Sequence, residues 1–156
     1  MRNTPVGSEQ FQTFQNTILM RVCVVAMTKT QIIASVRYYF DRLTASDTDG
    51  LLALFAPDAF VLSPFLGKME AEAFFKKLGN ASSASKLTVF DVLIGEHGNS
   101  AAAHFEYDWT LKSGEKIVFQ GVDYFQFNAE GQFASMSIFY DTHPVREDVG
   151  DKYSSA

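Results

Sequence analysis

Cysteine, proline and runs of basic residues are all scarce in this 156-residue chain. Its single cysteine, Cys23, excludes an internal disulfide and cannot by itself build a cysteine-based zinc site. Thirteen Lys and Arg residues stand against eighteen Asp and Glu residues with no basic cluster, so nucleic acid is not an expected partner. A lone thiol suits a reducing compartment, and we expect the protein to be cytoplasmic.

Long apolar runs are also missing, so neither a membrane span nor a secretory signal is expected. The best candidate, Ile18–Met27, is too short to cross a bilayer and is interrupted by Arg21. We interpret residues 1–27 as an accessory or loosely ordered extension, residues 28–146 as one domain and residues 147–156 as a tail. With 47% apolar residues, a chain of this length can bury a proper core.

Two helices are predicted at the start of the domain. From Thr28 to Ala45 the apolar residues recur at steps of three and four, which is typical of an amphipathic helix. Ser46-Asp47-Thr48 then offers an N-cap for a short second helix that includes Leu51–Phe55. Pro57-Asp58 is predicted to end this helix.

A short strand and a third helix are predicted next. Phe60–Ser63 reads as the strand, because the proline at position 64 favours an extended residue before it. Glu70–Leu78 is predicted to be the third helix, closed by Gly79-Asn80. The small residues Ala81–Ser85 are predicted to form a linker.

The second half of the chain alternates with a period of two and predicts four consecutive strands. They are joined by short turns, which indicates an antiparallel meander: Leu87–Ile94, Ala101–Leu111, Lys116–Phe127 and Phe133–Tyr140. Helices followed by strands indicate an α+β fold. Strands this long must twist or bend, so we expect a cone of three N-terminal helices packed on a strongly bent, mainly antiparallel sheet.

The alternation also predicts which face of the sheet looks inward. In the second of these strands the apolar set must face the helices: Ala103, Phe105, Tyr107, Trp109 and Leu111. Three polar residues, His104, Glu106 and Asp108, then lie on the outer face, and we expect a solvated or subunit-facing surface there rather than a metal site. In the last strand, Ala134 is predicted to share a face with Met136, Ile138 and Tyr140.

One carboxyl group, that of Asp123, is predicted to lie on the apolar inner face. Its strand neighbours on that face are Ile117, Phe119, Gly121, Phe125 and Phe127. Burial would raise its pKa and keep it neutral, so that it could donate a hydrogen bond. The alternative is that Asp123 stabilises the sheet through a backbone amide or a tyrosine.

Three segments resemble the nuclear transport factor 2-like superfamily, and more narrowly its SnoaL-like, ketosteroid isomerase-like branch. The segments are Tyr39-Phe40-Asp41-Arg42-Leu43, Leu52-Ala53-Leu54-Phe55-Ala56-Pro57-Asp58-Ala59 and Asp123-Tyr124-Phe125-Gln126-Phe127-Asn128. The resemblance covers about residues 30–142. It implies the cone-shaped fold, but this fold hosts isomerases, cyclases, dehydratases, hydrolases and binding modules.

Ketosteroid isomerases combine an aspartate base with an oxyanion hole made of a tyrosine and a protonated aspartic acid. They are the well-known example of a carboxyl group that an apolar site keeps neutral. The resemblance places Tyr39 and Asp123 in the first two roles. Ser63 stands at the position of the base, and a serine hydroxyl does not remove a proton from carbon near neutral pH without help. His143 is a weak alternative base.

The expected pocket is hydrophobic and suits a ring-containing carbonyl compound. The ligand-binding candidates are Phe60, Phe65, Phe105, Tyr107, Trp109, Phe119, Phe125, Met136, Ile138 and Tyr140. The first hypothesis is isomerase, cyclase or dehydratase-like lyase chemistry without a cofactor, and no metal or dinucleotide motif is present. The second is a non-catalytic small-molecule-binding or dimerisation module. A homodimer through the outer sheet face is expected in either case.

Overall fold

A computed structural model describes residues 26–141 as three helices and six strands. Most of the predicted extension, the predicted tail and His143 lie outside the described residues. Between residues 26 and 141, no helix is long and apolar enough to cross a membrane. The elements are α1 Lys29–Thr44, α2 Thr48–Leu52, β1 Phe55–Ser63, β2 Gly67–Glu70, α3 Ala71–Ala81, β3 Ser82–Ile94, β4 Ser100–Leu111, β5 Lys116–Phe127 and β6 Phe133–Tyr140.

The strands form one curled sheet in the order β2-β1-β6-β5-β4-β3. The pairs β3–β4, β4–β5 and β5–β6 are antiparallel, so the predicted meander is confirmed. β1 returns to pair with β6 in parallel, and β2 extends the sheet beyond β1. The α+β fold of helices on a bent, mainly antiparallel sheet is therefore confirmed.

Helix α1 covers the inner face of the sheet. Its sequence carries both an N-terminal capping box and a stripe of buried residues. Thr28 and Gln31 form a capping box in which each side chain accepts a hydrogen bond from the other residue's backbone N–H. The buried residues recur at steps of three and four: Ile32, Val36, Tyr39 and Phe40. This stripe packs against the inner face of the sheet and brings a tyrosine hydroxyl into the core.

The second helix was predicted to include Phe55, but α2 ends at Leu52 and β1 begins at Phe55. Phe55 is level with Phe133 of β6, and the backbone N–H of Phe133 donates to the carbonyl of Leu54. Pro57 lies inside β1 rather than ending a helix. It is tolerated there because the pairing of β1 with β6 is irregular between Phe55 and Phe60, where a missing N–H costs no ladder bond.

The predicted end of α3 and the predicted linker are also wrong. α3 continues through Gly79-Asn80 to Ala81, since Gly79 does not adopt the left-handed conformation of a terminating glycine. Ser82 then starts β3 directly, with its backbone N–H bonded to the carbonyl of Leu78. The short strand β2 was not predicted; it pairs with β1 through a turn in which Gly67 has φ 68°.

The predicted inner and outer faces agree with the observed burial except at one bulge. Residues 101, 103, 105 and 107 of β4 and residues 121, 123 and 125 of β5 are buried, whereas their neighbours are more exposed. In β6 the register shifts beside Ala134, so that Phe133 pairs with Phe127 and Met136 pairs with Phe125. Phe133 therefore takes the inner position that was predicted for Ala134.

Candidate active site

The hydroxyl of Tyr39 and the carboxyl of Asp123 meet in the core of the cone. Tyr39 is on the buried stripe of α1, and Asp123 is on the inner face of β5. The Tyr39 hydroxyl donates to Asp123 Oδ2 over 3.3 Å. Their exposed fractions are 2% and 3%, so the contact is shielded from water. The contact expected from sequence is present, and the oxyanion role of the two residues stays a prediction.

Aromatic rings surround the ring of Tyr39. Five rings have their centroids within 6.3 Å of the Tyr39 centroid, and all meet it edge to face: Phe40, Phe55, Phe75, Phe125 and Phe133. Such packing fixes the tyrosine ring, because each edge-to-face contact has a preferred geometry. The position of the hydroxyl oxygen is therefore fixed by the protein itself.

Burial keeps the carboxyl group of Asp123 uncharged at pH values below about 7. It raises the pKa of Asp123 to about 7, although the hydrogen bond from Tyr39 acts in the opposite direction. Burial also raises the pKa of Tyr39 well above its ordinary value, and the charge of Asp123 adds to this. Asp123 Oδ1 is buried with no hydrogen-bond partner among the described residues. Because Oδ2 accepts from Tyr39, the proton of the neutral carboxyl belongs on Oδ1, where it is free to be donated.

Ser63 lies on the same inner face as Asp123, two strands away. Leu62 is level with Ser137 of β6, and continuing this register by one residue puts Ser63 level with Ile138. Ile138 is in turn level with Asp123. Two strand spacings separate Ser63 from Asp123 by roughly 10 Å between Cα atoms. Among residues 26–141, the Ser63 hydroxyl accepts one long hydrogen bond, of 3.4 Å, from the backbone N–H of Leu66.

A second cluster of rings lies beyond Phe105 on the inner face of the sheet and in the loop after β1, and we call it the aromatic mouth. Its members are Phe65, Tyr107, Trp109, Phe119 and Tyr140. Consecutive ring centroids lie between 4.9 and 5.9 Å apart. Trp109, Phe119 and Tyr140 are half-buried, whereas Phe65 is 58% exposed in the loop after β1. A mouth of this composition suits a flat apolar ring.

Phe105 separates the aromatic mouth from the buried pair. It is level with Gly121 on β5, and its ring lies over that glycine. A Cβ atom at position 121 would lie 3.2 Å from Phe105 Cζ, so the ring occupies the space that a side chain would need. Phe105 also packs on Phe40, with centroids 5.0 Å apart. A ligand that reaches Asp123 from the mouth must displace this ring.

The other predicted site residues lie in several places. Phe125 and Met136 are fully buried beside the pair, and Ile138 is half-buried between Asp123 and Ser63. Phe60 lies on the outer face, next to inward Val61, with the Lys68 ammonium 4.0 Å from its ring centroid. It therefore does not line the interior.

The polar residues of β4 do not converge on the buried pair. His104, Glu106 and Asp108 lie on the outer face, level with Val122, Gln120 and Val118. No group of three His, Cys, Asp or Glu residues that could hold a metal occurs within residues 26–141.

Sequence reasoning missed two hydrogen bonds between inner aromatic residues and the start of β3. Tyr107 and Ser85 share a hydrogen bond of 2.8 Å, and Trp109 Nε1 donates to Ser82 Oγ over the same distance. The serines of Ala81–Ser85 were the signal in the sequence for these hydrogen bonds. Because this segment was predicted to be a linker, the serines were not paired with a neighbouring strand. Two surface cavities, of about 560 and 480 Å³, are lined by other residues than Tyr39 and Asp123.

Comparison with known proteins agrees with this architecture. The profile of the family described as SnoaL-like domain matches residues 36–136. A steroid delta-isomerase from Nocardioides simplex is 27% identical over 116 residues, which are 70% of this chain and 89% of that protein.

Solved structures give the same picture of the fold. The epoxide hydrolase/cyclase-like enzyme SalBIII, studied in pyran ring formation in polyether salinomycin, superposes with a TM-score of 0.65 at 20% identity. That match covers 72% of this chain and 92% of SalBIII. An NTF2-like protein of unknown function from Exiguobacterium sp. 255-15 has a TM-score of 0.60 at 19% identity, covering 69% of this chain and 98% of that one.

Proposed function

The chain belongs to the SnoaL-like domain family of the NTF2-like superfamily, and on this premise we propose that it acts on a hydrophobic, ring-containing carbonyl compound by stabilising an enolate. The observation that carries the proposal is the buried contact between Tyr39 and Asp123. A neutral acid with a free donor on Oδ1 is suited to an oxygen that gains negative charge during a reaction.

The two donors act in series in this arrangement. Asp123 Oδ1–H donates to the ligand oxygen, while Tyr39 donates to Oδ2 and so supports the carboxyl as charge develops beyond it. Because the pair is almost fully buried, each hydrogen bond is stronger than it would be in solvent. The similarity to a steroid delta-isomerase supports a ring-containing substrate and isomerisation as the reaction class, and the fold match to a cyclase-like enzyme of pyran ring formation supports cyclisation as the other reaction class.

The missing component is a base that removes a proton from carbon. Ser63 occupies the inner face about two strand spacings from Asp123, a separation suited to holding a ring between them. Its hydroxyl is too weak a base for this step. We therefore propose that Ser63 marks the base position and that the chain uses another proton acceptor for this step.

Replacing Ser63 by Asp tests the oxyanion role directly. A β,γ-unsaturated cyclic ketone such as cyclohex-3-enone serves as the probe, since its conjugated isomer is detected by ultraviolet absorbance. In the reaction a base takes a proton from the carbon next to the carbonyl, an enolate forms, and the proton returns to the far carbon of the former double bond. We expect S63D to gain isomerisation over the wild type, and S63N to gain none.

A second substitution connects the gain to the buried pair. Adding Tyr39→Phe to S63D removes the donor to Asp123 Oδ2 and should lower the rate at least tenfold. Thermal unfolding of every variant shows that the fold is kept. A folded S63D protein that remains inert, or one whose rate ignores Tyr39→Phe, would contradict the enolate role.

A non-catalytic binding protein is the second candidate, and the serine at position 63 is the observation that favours it. In that case the pair holds a ketone or phenol by hydrogen bonds without a chemical step. The discriminating result is a wild-type protein that binds a phenol in a Tyr39-dependent way and transforms no ketone even when Ser63→Asp does.

A further inference from the structure

A polar cleft opens on the surface beside the cone. It has a volume of about 560 Å³ and lies between the end of α1, the α1–α2 turn, the second half of α3 and the start of β3. Five hydroxyl side chains line it: Ser46, Thr48, Ser82, Ser83 and Ser85. Apolar side chains line it as well: Leu43, Leu51, Phe75 and Leu78. We call it the serine cleft.

Two hydrogen bonds join the serine cleft to the interior of the cone. Ser85 is bonded to the Tyr107 hydroxyl, and Ser82 accepts from Trp109 Nε1. Tyr107 and Trp109 belong to the aromatic mouth, on the inner face of β4. The hydroxyls of the cleft therefore meet the polar tips of rings whose apolar bodies line the cone.

One wall of the serine cleft lies close to the buried pair of Tyr39 and Asp123. Phe75 lines the cleft, and its ring centroid lies 6.0 Å from that of Tyr39. Burial raises the pKa of Tyr107, and the charge of Asp123 contributes to the rise. Tyr107 therefore contacts Ser85 at the cleft and lies on the same inner face of the sheet as Asp123.

The charges around the serine cleft favour an uncharged ligand group. Two cationic residues, Arg42 and Lys76, and two anionic residues, Asp47 and Asp49, line it. Arg42 is paired with Asp47 over 3.1 Å, so neither sign predominates. Arg42 Nε is buried and has no acceptor among residues 26–141. Hydroxyl groups satisfy such a surface, because they both donate and accept.

We propose that the serine cleft binds the uncharged, hydroxyl-bearing end of the ligand whose carbonyl or phenol end reaches Tyr39 and Asp123. This inference rests on the proposed function. Along β4, Tyr107 is four residues from Ala103, which is level with Asp123, so the two ends of the site are roughly 13 Å apart. A ligand with several fused rings that displaces the ring of Phe105 spans this distance, and Tyr107 and Ser85 position its hydroxyl end.

Two matched steroids test the inference on the full-length protein. Estradiol has a phenol at one end and a hydroxyl at the other, and its analogue without the far hydroxyl keeps only the phenol. Trp109 is the only tryptophan in the chain and is bonded to the cleft, so its fluorescence reports binding there. We expect estradiol to bind the wild type about fivefold more tightly, the effect of one additional hydrogen bond.

Variants of the cleft should abolish this preference selectively. In Ser85→Ala the ratio of the two dissociation constants should fall below about twofold, whereas Ser113→Ala, in the exposed β4–β5 turn, should keep it. Gly79→Leu is a second way to block the cleft, because Gly79 lines it beside Thr48 and a leucine carries three carbon atoms beyond Cβ that fill space there. Gly79→Ala is its control and should keep the preference.

The outcomes separate this inference from the proposed function. Equal binding of the two steroids to the wild type, weakened for both by Tyr39→Phe, would overturn the inference and leave the proposed function standing. A preference that survives both Ser85→Ala and Gly79→Leu would also overturn it. Binding of neither steroid would overturn both proposals.

Discussion

At the scale of single residues, the dominant feature is a carboxyl group without solvent. Asp123 has one oxygen bonded to Tyr39 and one oxygen without a partner among the described residues. Retaining such a group costs stability once it ionises, because an unpaired buried charge loses its hydration. A polar group that costs stability and is held by a rigid ring cage is typical of a functional site.

The pH dependence of stability measures this cost. The pKa of Asp123 is raised to about 7 in the folded protein, against about 3.9 in an unfolded chain. Between these values the folded state holds a proton that the unfolded state has lost, so stability falls as pH rises, by about 1.4 kcal/mol per pH unit and about 4 kcal/mol in all. Below pH 4 the contribution is fully favourable, and above pH 7 it is lost.

Asp123→Asn isolates this contribution from those of the other carboxyls. We expect the free energy of unfolding of the variant, minus that of the wild type, to be small at pH 4, to rise through pH 4–7 and to level off above pH 7. Urea unfolding at half-unit pH steps measures the difference. Parallel curves for the two proteins across this range would mean that the carboxyl is hydrated and ionised in the native state.

The pair could be predicted from sequence, but its surroundings could not. Strand alternation put Asp123 inward, and helix periodicity put Tyr39 on the buried stripe, because both periods are local. The ring of Phe105 over Gly121 depends on the register of two strands, which the alternation leaves open. Phe60 was assigned inward for a similar reason, since the start and the irregular pairing of β1 were not visible in the sequence.

At the scale of elements, β4, β5 and β6 followed the sequence closely, whereas the ends of α2 and α3 and the start of β3 did not. β5 and β6 have the predicted bounds, because alternation over eight or more residues is a strong signal. The end of α3 was placed too early because Gly79-Asn80 resembles a helix stop. Packing of α3 against β1 and β3 overrides that local preference.

The same substitution at two glycines should have opposite effects on stability. Gly79 is in α3 with only the flexible Thr48 hydroxyl nearby, so Gly79→Ala should raise the free energy of unfolding by about 0.5–1 kcal/mol. Gly121 is in β5, where a Cβ atom would lie 3.0 Å from the backbone oxygen of Phe139 as well as against Phe105. Gly121→Ala should therefore lower it by about 1–3 kcal/mol.

Denaturant unfolding of both variants at one pH checks this prediction. The two glycines serve as controls for each other, because the loss of unfolded-chain entropy is the same in both. A stabilising Gly121→Ala would contradict this prediction. It would mean that Phe105 moves away from β5 at little cost in free energy, so that its ring does not block the way from the aromatic mouth to the buried pair.

At the scale of the whole molecule, the outer face of the sheet carries an apolar patch. We call it the outer patch, and its members are Leu62, Phe90, Leu93, Tyr124 and Phe139, each at least 36% exposed. They occupy two adjacent rows of the sheet, with Phe90 packed on His104 at a centroid distance of 5.0 Å. Together they expose on the order of 400 Å² of apolar surface.

A second copy of the chain is the occupant that this area fits. A standard interface buries about 800 Å² per partner, of which a little over half is non-polar, so the outer patch has the apolar content of one such interface. We therefore propose a homodimer in which two outer patches pack on each other around a two-fold axis. The inner face stays free for a ligand in this arrangement.

Sedimentation velocity at about 10 µM tests the dimer. We expect a dimer for the wild type and a monomer for Phe139→Lys, because the ammonium group would be buried without a partner in the interface. Phe65→Lys is the matched control: Phe65 is as exposed as Phe139, at 58% against 59%, but lies at the aromatic mouth, so that variant should remain dimeric. A monomeric wild type, or a dimer that persists in Phe139→Lys, would exclude the outer patch as the interface.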